Sequence, residues 1–508
     1  MSSARERDTV RGEGPAAASP PGDAVEAGAD VPPATRGAQI ARAVAATAIG
    51  SGLFHLAGLL TFLLLSHRLS PAELGAYRQI AILRSIAALV WAMGVPDAML
   101  YALGRAAADE RPLVFAGAAR WLLVATPALA LTSGGGTWLA GRLLDRPALA
   151  AAAPLAAVVG GLEIAFLFAG PLWASIGRAR GYMLAAAGHL VALLLLTALL
   201  TTRTPTLTSA LAAAAIPAAS LYLLTLLLFW RHSAGACAAD LWRTQVAPAL
   251  RYGAPAALGA TLYLVGYQLD HLVASGHFSA AQYGIYAAGA WQLPVLGFLQ
   301  QGHRTVLVPV MAAHHVGKRP EAFWREWRHQ VEPAVWLAAA LFWPLMLGAA
   351  DLVAVALGPP YAPSVAVFRT YAFFLPLQTV AFNLPLRAVG STGWEAIAGL
   401  VQIAVTLSAA VGLVPMFGLI GPAVALLLGM TARAALLVGV TCRRIGVAPG
   451  QMLPVRAAVA GYLVTGGAAA LAWLVTDRLA LAAGAGRLLG AVAIYAALLL
   501  LLCHLRRR

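Results

Sequence analysis

The sequence is poor in charged residues and contains almost no lysine. Asp, Glu, Lys and Arg make up 11% of the 508 residues, against about 25% in an average soluble protein, and Lys318 is the single lysine. The three cysteines stand far apart, and neither a CxxC spacing nor an ATP-binding P-loop occurs. We therefore expect no soluble globular enzyme, no disulfide or zinc framework and no bound cofactor.

Hydrophobic residues instead make up 60% of the chain and form long runs of Leu, Ala, Val and Gly. Because a helix that crosses a bilayer needs about 20 apolar residues, these runs predict an all-α polytopic membrane protein. About fourteen spans are predicted, over 44–66, 80–102, 113–133, 153–174, 182–202, 209–230, 254–275, 284–304, 334–357, 365–386, 394–415, 418–441, 456–476 and 480–503. Residues 1–40, rich in Pro, Ala, Gly and charge, are predicted to form a disordered cytoplasmic tail.

The cations are distributed unequally across this topology. With the N-terminal tail inside, 24 cations face inward, 8 face outward and 3 fall within spans. This bias places both termini in the cytoplasm, and the Ala/Arg-rich composition indicates a bacterial inner membrane. The net charge of +15 is then a topology signal, so we expect no nucleic-acid partner.

Two segments outside the spans are predicted to lie on the membrane surface. Residues 138–149 are too short and too charged to cross the bilayer. The longest inner loop, 305–333, places Phe323, Trp324 and Trp327 beside arginines in an amphipathic pattern. No loop is long enough to form a soluble catalytic domain.

Two short segments suggest an internal repeat. Residues 69–77 (LSPAELGAY) and 278–286 (FSAAQYGIY) align without a gap at an offset of 209, and each joins the first two spans of a six-span unit. Chance similarity in an Ala/Gly-rich chain is the alternative. The repeat predicts two six-helix lobes, 41–235 and 236–445, related by a pseudo-twofold axis along the membrane normal. Residues 446–508 add two C-terminal helices and a basic C-terminus.

Further short motifs follow in a fixed order along the chain. They are MGVPD at 93–97, RYGAP at 251–255, LD at 269–270, VPV at 308–310, RAVG at 387–390 and FGLIGPA at 417–423. Together with the repeat segments, this pattern resembles the polysaccharide-biosynthesis (Wzx-like) oligosaccharide flippases of the multidrug/oligosaccharidyl-lipid/polysaccharide exporter superfamily. The resemblance covers about 45–445. The chain departs from it at His271 and at 391–394, where the family often carries a basic residue.

The resemblance implies a flippase rather than an enzyme. Such a protein moves a lipid-linked (polyprenyl-diphosphate) oligosaccharide across the cytoplasmic membrane by alternating access, for the synthesis of lipopolysaccharide or exopolysaccharide. The implied partners are that substrate, membrane lipids and a proton or sodium ion for coupling, with the chain acting as a monomer. An ion-coupled drug antiporter of the same superfamily stays open, although cationic and neutral polar residues outnumber the acids. A membrane-embedded polysaccharide polymerase or glycosyltransferase is disfavoured by the short loops.

Charged side chains within spans are costly, at about 2.5–3.5 kcal/mol each on insertion scales, so they face protein or a water-filled cavity. Arg84 in span two could bind the diphosphate through its fork of donors, or it could snorkel at the interface. Glu163 in span four could pair with an arginine of the cavity, take up a coupling proton or join two helices. Arg433 in span twelve is interpreted as a contact between lobes or with lipid.

The remaining candidates are polar residues on spans seven, eight and ten. Tyr263, Tyr267 and Asp270 share one face of span seven, where they could contact sugar rings and hydroxyls or pack between helices. The other candidates are Gln292, His303 and Arg304 on span eight, and Gln378, Asn383 and Arg387 on span ten. Two prolines bracket the asparagine, which suits either a gate or a packing distortion.

Overall fold

The computed structural model describes residues 33–234, 241–290, 307–308, 310–391, 393–479 and 484–507. These ranges are helical and contain no β-strand. We call residues 33–234 the N-half and residues 241–507 the C-half. The helices of the N-half are α1 (Pro33–Ser66), α2 (Pro71–Ala92), α3 (Val95–Leu103), α4 (Arg111–Leu143), α5 (Pro147–Ala151), α6 (Ala153–Ser175), α7 (Ala179–Arg203) and α8 (Leu207–His232).

The C-half begins with a π-helical turn, Trp242–Val246, and continues with shorter and more broken helices. Its helices are α9 (Ala247–Tyr267), α10 (Leu269–His277), α11 (Ala280–Gly289), α12 (Pro320–Leu347), α13 (Ala349–Ala356), α14 (Val365–Ala372), α15 (Leu375–Thr379), α16 (Leu384–Ala388), α17 (Gly393–Phe417), α18 (Gly421–Ile445), α19 (Pro449–Met452), α20 (Val455–Arg478) and α21 (Ala485–Arg507).

The long helices make this a multi-pass membrane protein. Eight helical stretches of the described ranges are long and apolar enough to cross a membrane, or up to ten if each of two bent pairs counts as one span. One of the eight, 393–445, is divided by a short 3₁₀ turn into α17 and α18. The count of fourteen spans and the symmetry between two lobes therefore stay predictions.

The two halves meet along a narrow set of helices. Within the N-half, α1 packs on α7, and α4 and α8 pack on α6; within the C-half, α17 packs on α18 and α12 on α20. Contacts between the halves involve mainly α2 and α3 on one side and α9 and α11 on the other. Any motion of one half against the other must act on these contacts.

The two segments of the sequence repeat lie against each other at one end of this interface, here called the motif end. Each segment starts a helix with a capping box, formed by Ser70 with Glu73 at α2 and by Ser279 with Gln282 at α11. The helices touch so closely that a Cβ on Gly284 would lie 1.7 Å from the carbonyl oxygen of Pro71. The repeat is therefore a contact motif that brings both halves together.

The opposite end of the interface also depends on glycine. Met93 and Gly94 both have left-handed backbone conformations, with φ of 46° and 69°, and they separate α2 from α3 at a bend of 40°. A Cβ on Gly94 would lie 2.4 Å from the carbonyl oxygen of Gly253 on α9. The sequence reading took 80–102 as one span, whereas the structure divides it at this turn.

The prediction that two segments lie on the membrane surface is wrong. Residues 138–143 continue α4 rather than forming an interfacial helix. The segment with Phe323, Trp324 and Trp327 belongs to α12, and these rings are buried, with the indole Nε1 of Trp327 donating to the carbonyl oxygen of Met452 at 2.9 Å. The amphipathic face covers protein rather than lipid headgroups. Most of the predicted tail, 1–40, lies outside the described residues, and its last part, from Pro33, belongs to α1.

Candidate functional site

A cavity of about 290 Å³ lies inside the N-half. Arg84 on α2 and Glu163 on α6 border it and form an ion pair, with 3.3 Å between Nε and Oε2. The aromatic rings of Phe54, Tyr77 and His189 line other parts of the wall. Both members of the pair keep some exposure, at 13% and 22%, so the cavity presents a cation and an acid together.

A smaller polar pocket lies in the C-half, between α9, α15, α16 and α18. The guanidinium carbon of Arg433 stands 4.8 Å from the ring centroid of Tyr263, a cation–π distance. Tyr263 also stacks on Tyr267, with centroids 5.7 Å apart and an interplanar angle of 16°. Gln378 donates a hydrogen bond to the Tyr267 hydroxyl, and Asn383 completes the polar wall.

The predicted span ten is broken where it lines this pocket. Residues 359–372 and 375–388 are bent by 46°, and α15 and α16 each begin with a proline in their first turn. Proline fits the first turn because its missing N–H needs no partner there, whereas within a helix it removes a hydrogen bond. The non-helical residues between α15 and α16 bring Asn383 to the pocket.

Arg387 and Arg433 differ in their partners. Arg387 makes a two-pronged contact with Glu395 on α17, with 2.6 Å between Nη2 and Oε2 and a second contact from Nε. Arg433 makes no ion pair with any described residue, and its buried Nε has no hydrogen-bond partner there. Arg433 thus has no carboxylate in direct contact at the pocket wall, and Glu395, whose charge acts on it from a distance, is already paired with Arg387.

Asp270 is enclosed by protein. It is fully buried, and its Oδ2 accepts hydrogen bonds from the hydroxyls of Tyr286 on α11 and Tyr371 on α14. The neighbouring His271 is buried as well, with Nδ1 3.5 Å from the hydroxyl of Tyr283. In this conformation the carboxylate holds three helices together rather than facing a cavity.

Arg146, between α4 and α5, is buried at the motif end. Its Nη1 donates to Oε1 of Gln79 on α2 at 2.9 Å, and its Nη2 donates to the carbonyl oxygens of Ser275 and Phe278 at 2.7 and 2.8 Å. Burial lowers the pKa of this guanidinium below its usual value, but arginine remains charged in proteins. The sequence reading placed Arg146 in an interfacial helix, whereas the structure buries it between α4 and α5, against residues of the other half.

The structure thus groups the predicted residues into separate sites. Tyr263, Gln378 and Asn383 line the C-half pocket, and Tyr267 stacks on Tyr263. Arg84 and Glu163 share the N-half cavity, and Arg387 is paired outside the pocket wall. The three candidates of span eight, Gln292, His303 and Arg304, lie outside the described residues. No group of three His, Cys, Asp or Glu residues in the described ranges is placed to hold a metal ion.

Sequence reasoning missed the pocket role of Arg433 and the buried position of Arg146. An arginine within a span was already a signal of function for Arg433. No comparable signal existed for Arg146, because its partners come from distant parts of the chain.

Solved structures of membrane transporters resemble most of the chain. A multidrug resistance MATE family transporter of the MOP superfamily, in an inward-facing conformation, matches with a TM-score of 0.64 and 16% identity, over 80% of this chain and 98% of its own. The chain shares the fold of MOP-superfamily transporters. Lipid II flippase MurJ, in an inward closed conformation, matches with a TM-score of 0.67 and 12% identity, over 91% of this chain and 99% of its own.

A third similar structure is a MOP superfamily transporter from Pyrococcus furiosus, described as having a binding pocket of reverse polarity. It matches with a TM-score of 0.57 and 16% identity, over 80% of this chain and 95% of its own. No protein-family model and no curated protein sequence matches the chain. These similarities establish the fold, and the function must be argued from the side chains.

Proposed function

We propose that this chain is a flippase for an anionic, lipid-linked oligosaccharide in a bacterial cytoplasmic membrane. It acts by alternating access, as a transporter rather than an enzyme, and as a monomer with both termini in the cytoplasm. The fold shared with MATE and MurJ transporters supports transport across a membrane. The polyprenyl-diphosphate class of substrate is supported by the charge balance inside the bundle.

One observation carries this proposal, namely that Arg433 has no carboxylate partner among the described residues. Glu163, which borders the N-half cavity, is paired with Arg84, and Glu395 is paired with Arg387 outside the C-half pocket. The carboxylate of Asp270 is enclosed by tyrosine hydroxyls. The excess charge at the pocket wall is therefore positive. A cationic substrate would be repelled there, whereas a diphosphate would gain charge-assisted hydrogen bonds from the guanidinium.

The neighbours of Arg433 suit a sugar diphosphate. The amide of Asn383 and the hydroxyl of Tyr263 offer donors and acceptors for sugar hydroxyls. The pocket encloses about 30 Å³, close to the share of one water molecule in liquid water, so an oligosaccharide binds only after the surrounding helices separate. Alternating access supplies that separation.

The test is flipping of a fluorescent polyprenyl-diphosphate oligosaccharide in proteoliposomes. We expect Arg433→Gln to lower the initial rate by roughly tenfold to a hundredfold, the loss of about 1.5–3 kcal/mol expected for a hydrogen bond to a charged group. Arg433→Lys keeps the charge and should retain part of the rate. Arg120→Gln is the matched control, because Arg120 also lies within a long apolar helix but is exposed on its surface.

Each outcome bears on a different part of the proposal. Flipping by the unmodified protein, lost in Arg433→Gln and kept in Arg120→Gln, supports both the function and the site. If Arg433→Gln flips the substrate at an unchanged rate, the proposed function stands and Arg433 does not belong to the binding site. Absence of flipping, together with proton-coupled efflux of a cationic dye, would refute the flippase.

The second candidate function is an ion-coupled small-molecule antiporter, which the N-half cavity favours. Its 290 Å³ approaches the lower limit of about 300 Å³ for small-molecule pockets, and its wall carries the titratable Glu163 and His189 beside aromatic rings. An antiporter requires that Glu163→Gln abolish proton-coupled dye transport. A flippase that binds its diphosphate at Arg433 requires Arg433→Gln to have the larger effect.

A further inference from the structure

At the motif end of the interface, the charged side chain of Arg146 makes hydrogen bonds from one half to the other. Arg146 is rooted in the N-half, where α4 ends and α5 begins, and only 9% of its surface is exposed. Gln79 of the N-half orients it from one side. Its other hydrogen bonds reach two carbonyl oxygens of the C-half.

The two carbonyl oxygens explain why an arginine is buried here. Ser275 lies in the last turn of α10 and Phe278 is the residue that follows the helix, so neither carbonyl has a partner within α10. A cation at a helix C-terminus satisfies these oxygens and opposes the negative end of the helix dipole. Arg146 therefore caps a helix that belongs to the other half of the chain.

Tyr283 adds a second contact across the interface. The guanidinium carbon of Arg146 lies 5.8 Å from the ring centroid of this tyrosine, which belongs to the repeat segment at the start of α11. The same segment packs against α2 through Gly284. The side chain thus covers the place where the two repeat segments meet.

We propose that Arg146 is the latch that holds the motif end closed during the transport cycle. The inference rests on the proposed transport function, because alternating access requires this end to open. Opening must withdraw the guanidinium from Ser275 and Phe278, since these acceptors lie in one half and the arginine in the other. At the opposite end, Gly94 and Gly253 meet through backbone atoms.

The test measures opening without any substrate. Ser275 is buried at 5% exposure, and the latch uses its backbone oxygen, so Ser275→Cys introduces a thiol beside the latch and keeps the acceptor. The three native cysteines are replaced by serine, and the protein is placed in lipid nanodiscs. A hydrophilic maleimide then labels the reporter thiol at a rate that follows the open fraction.

We expect Arg146→Met to raise the labelling rate by roughly tenfold or more, which corresponds to a shift of about 1.4 kcal/mol in the opening equilibrium. Gln79→Glu should lower the rate, because a carboxylate would hold the guanidinium more strongly than the amide does. Arg142→Met is the matched control, since Arg142 is exposed and stacks on the exposed Trp138. It should leave the rate unchanged.

Unchanged labelling in Arg146→Met, or an equal increase in Arg142→Met, would overturn the latch. If Arg146→Met fails to fold, Gln79→Glu carries the test, and a rate that does not fall refutes the latch. Because labelling needs no substrate, failure of the protein to flip a lipid-linked sugar tells against the proposed function and not against the latch.

Discussion

Replacing Gly284 by alanine would place a Cβ 1.7 Å from the carbonyl oxygen of Pro71. Carbon atoms essentially never approach so closely, and the obstacle is backbone, so α2 and α11 must move apart by more than about 1 Å. Overpacking of this kind costs about 1–3 kcal/mol. The better helix propensity of alanine offsets about 0.5–1 kcal/mol of this cost, which leaves a net loss of about 0.5–2 kcal/mol.

Two other glycines make the experiment a graded series. A Cβ on Gly75 would lie 2.9 Å from the backbone of Gly284, so Gly75→Ala also forces backbone apart, by less than Gly284→Ala does, and should be destabilising to a smaller extent. Gly188 is exposed within α7 and has no atom within 4 Å of its position for a Cβ, so Gly188→Ala should be neutral or stabilising. The assay is the temperature at which half of the purified protein stays monodisperse, measured by size-exclusion chromatography after heating.

The expected order of stability is Gly188→Ala highest, Gly75→Ala next and Gly284→Ala lowest. The labelling rate of Ser275→Cys should rise when Gly284→Ala is also present, because the added methyl group separates α2 from α11 at the end that Arg146 holds closed. Equal stability of Gly284→Ala and Gly188→Ala would refute the close contact between the repeat segments.

Two further predictions concern buried polar groups. Arg84→Gln and Glu163→Gln should each lower the free energy of unfolding by about 1–3 kcal/mol, because each leaves a charge without its partner. In a thermal-denaturation cycle the double substitution should lower it by less than the sum of the two, and an additive result would exclude coupling. Tyr371→Phe should lower the free energy of unfolding by about 1.5–3 kcal/mol, because it removes a donor to Asp270. Tyr361→Phe should be neutral or stabilising, because the buried hydroxyl of Tyr361 has no partner among the described residues. Equal melting temperatures of the two phenylalanine variants would contradict this assignment.

The positions of the long helices could be predicted because the length of an apolar run decides where a helix crosses the bilayer. The predicted span 153–174 corresponds to α6 (Ala153–Ser175), and 182–202 lies within α7 (Ala179–Arg203). The breaks were harder to predict. The bend at Met93 and Gly94 needs two left-handed residues and a neighbouring helix that approaches within contact distance.

The side of a helix that meets protein could not be predicted from its pattern. The face of α12 with Trp324 and Trp327 has the same amphipathic signature whether it covers lipid headgroups or other helices. Its partner, Met452, lies 125 residues further along the chain. A carbonyl acceptor 129 residues from Arg146 is equally invisible in the sequence, since every residue carries the same carbonyl group.

The intramembrane charges were informative in a more limited way. The sequence indicated that Arg84 and Glu163 needed partners, and the structure pairs them with each other. It did not indicate that Arg387 would be paired while Arg433 would not, because that difference depends on how α16, α17 and α18 lie together. A charged residue within a span predicts a functional or pairing site, and only the packing of the helices decides which charged residue has an ion-pair partner.

The last two helices, α20 and α21, are suitable positions for a probe that follows the transport cycle. α20 packs along α12, with Trp343 donating to the carbonyl oxygen of Tyr462 at 2.8 Å, and α21 rests on α13 and α20. Asp351 accepts from the backbone N–H of Gly484 at 3.0 Å, which fastens the start of α21. A fluorescent probe on α21 therefore moves together with the C-half. Its distance to a second probe on α7 would report the motion of one half against the other without disturbing either cavity.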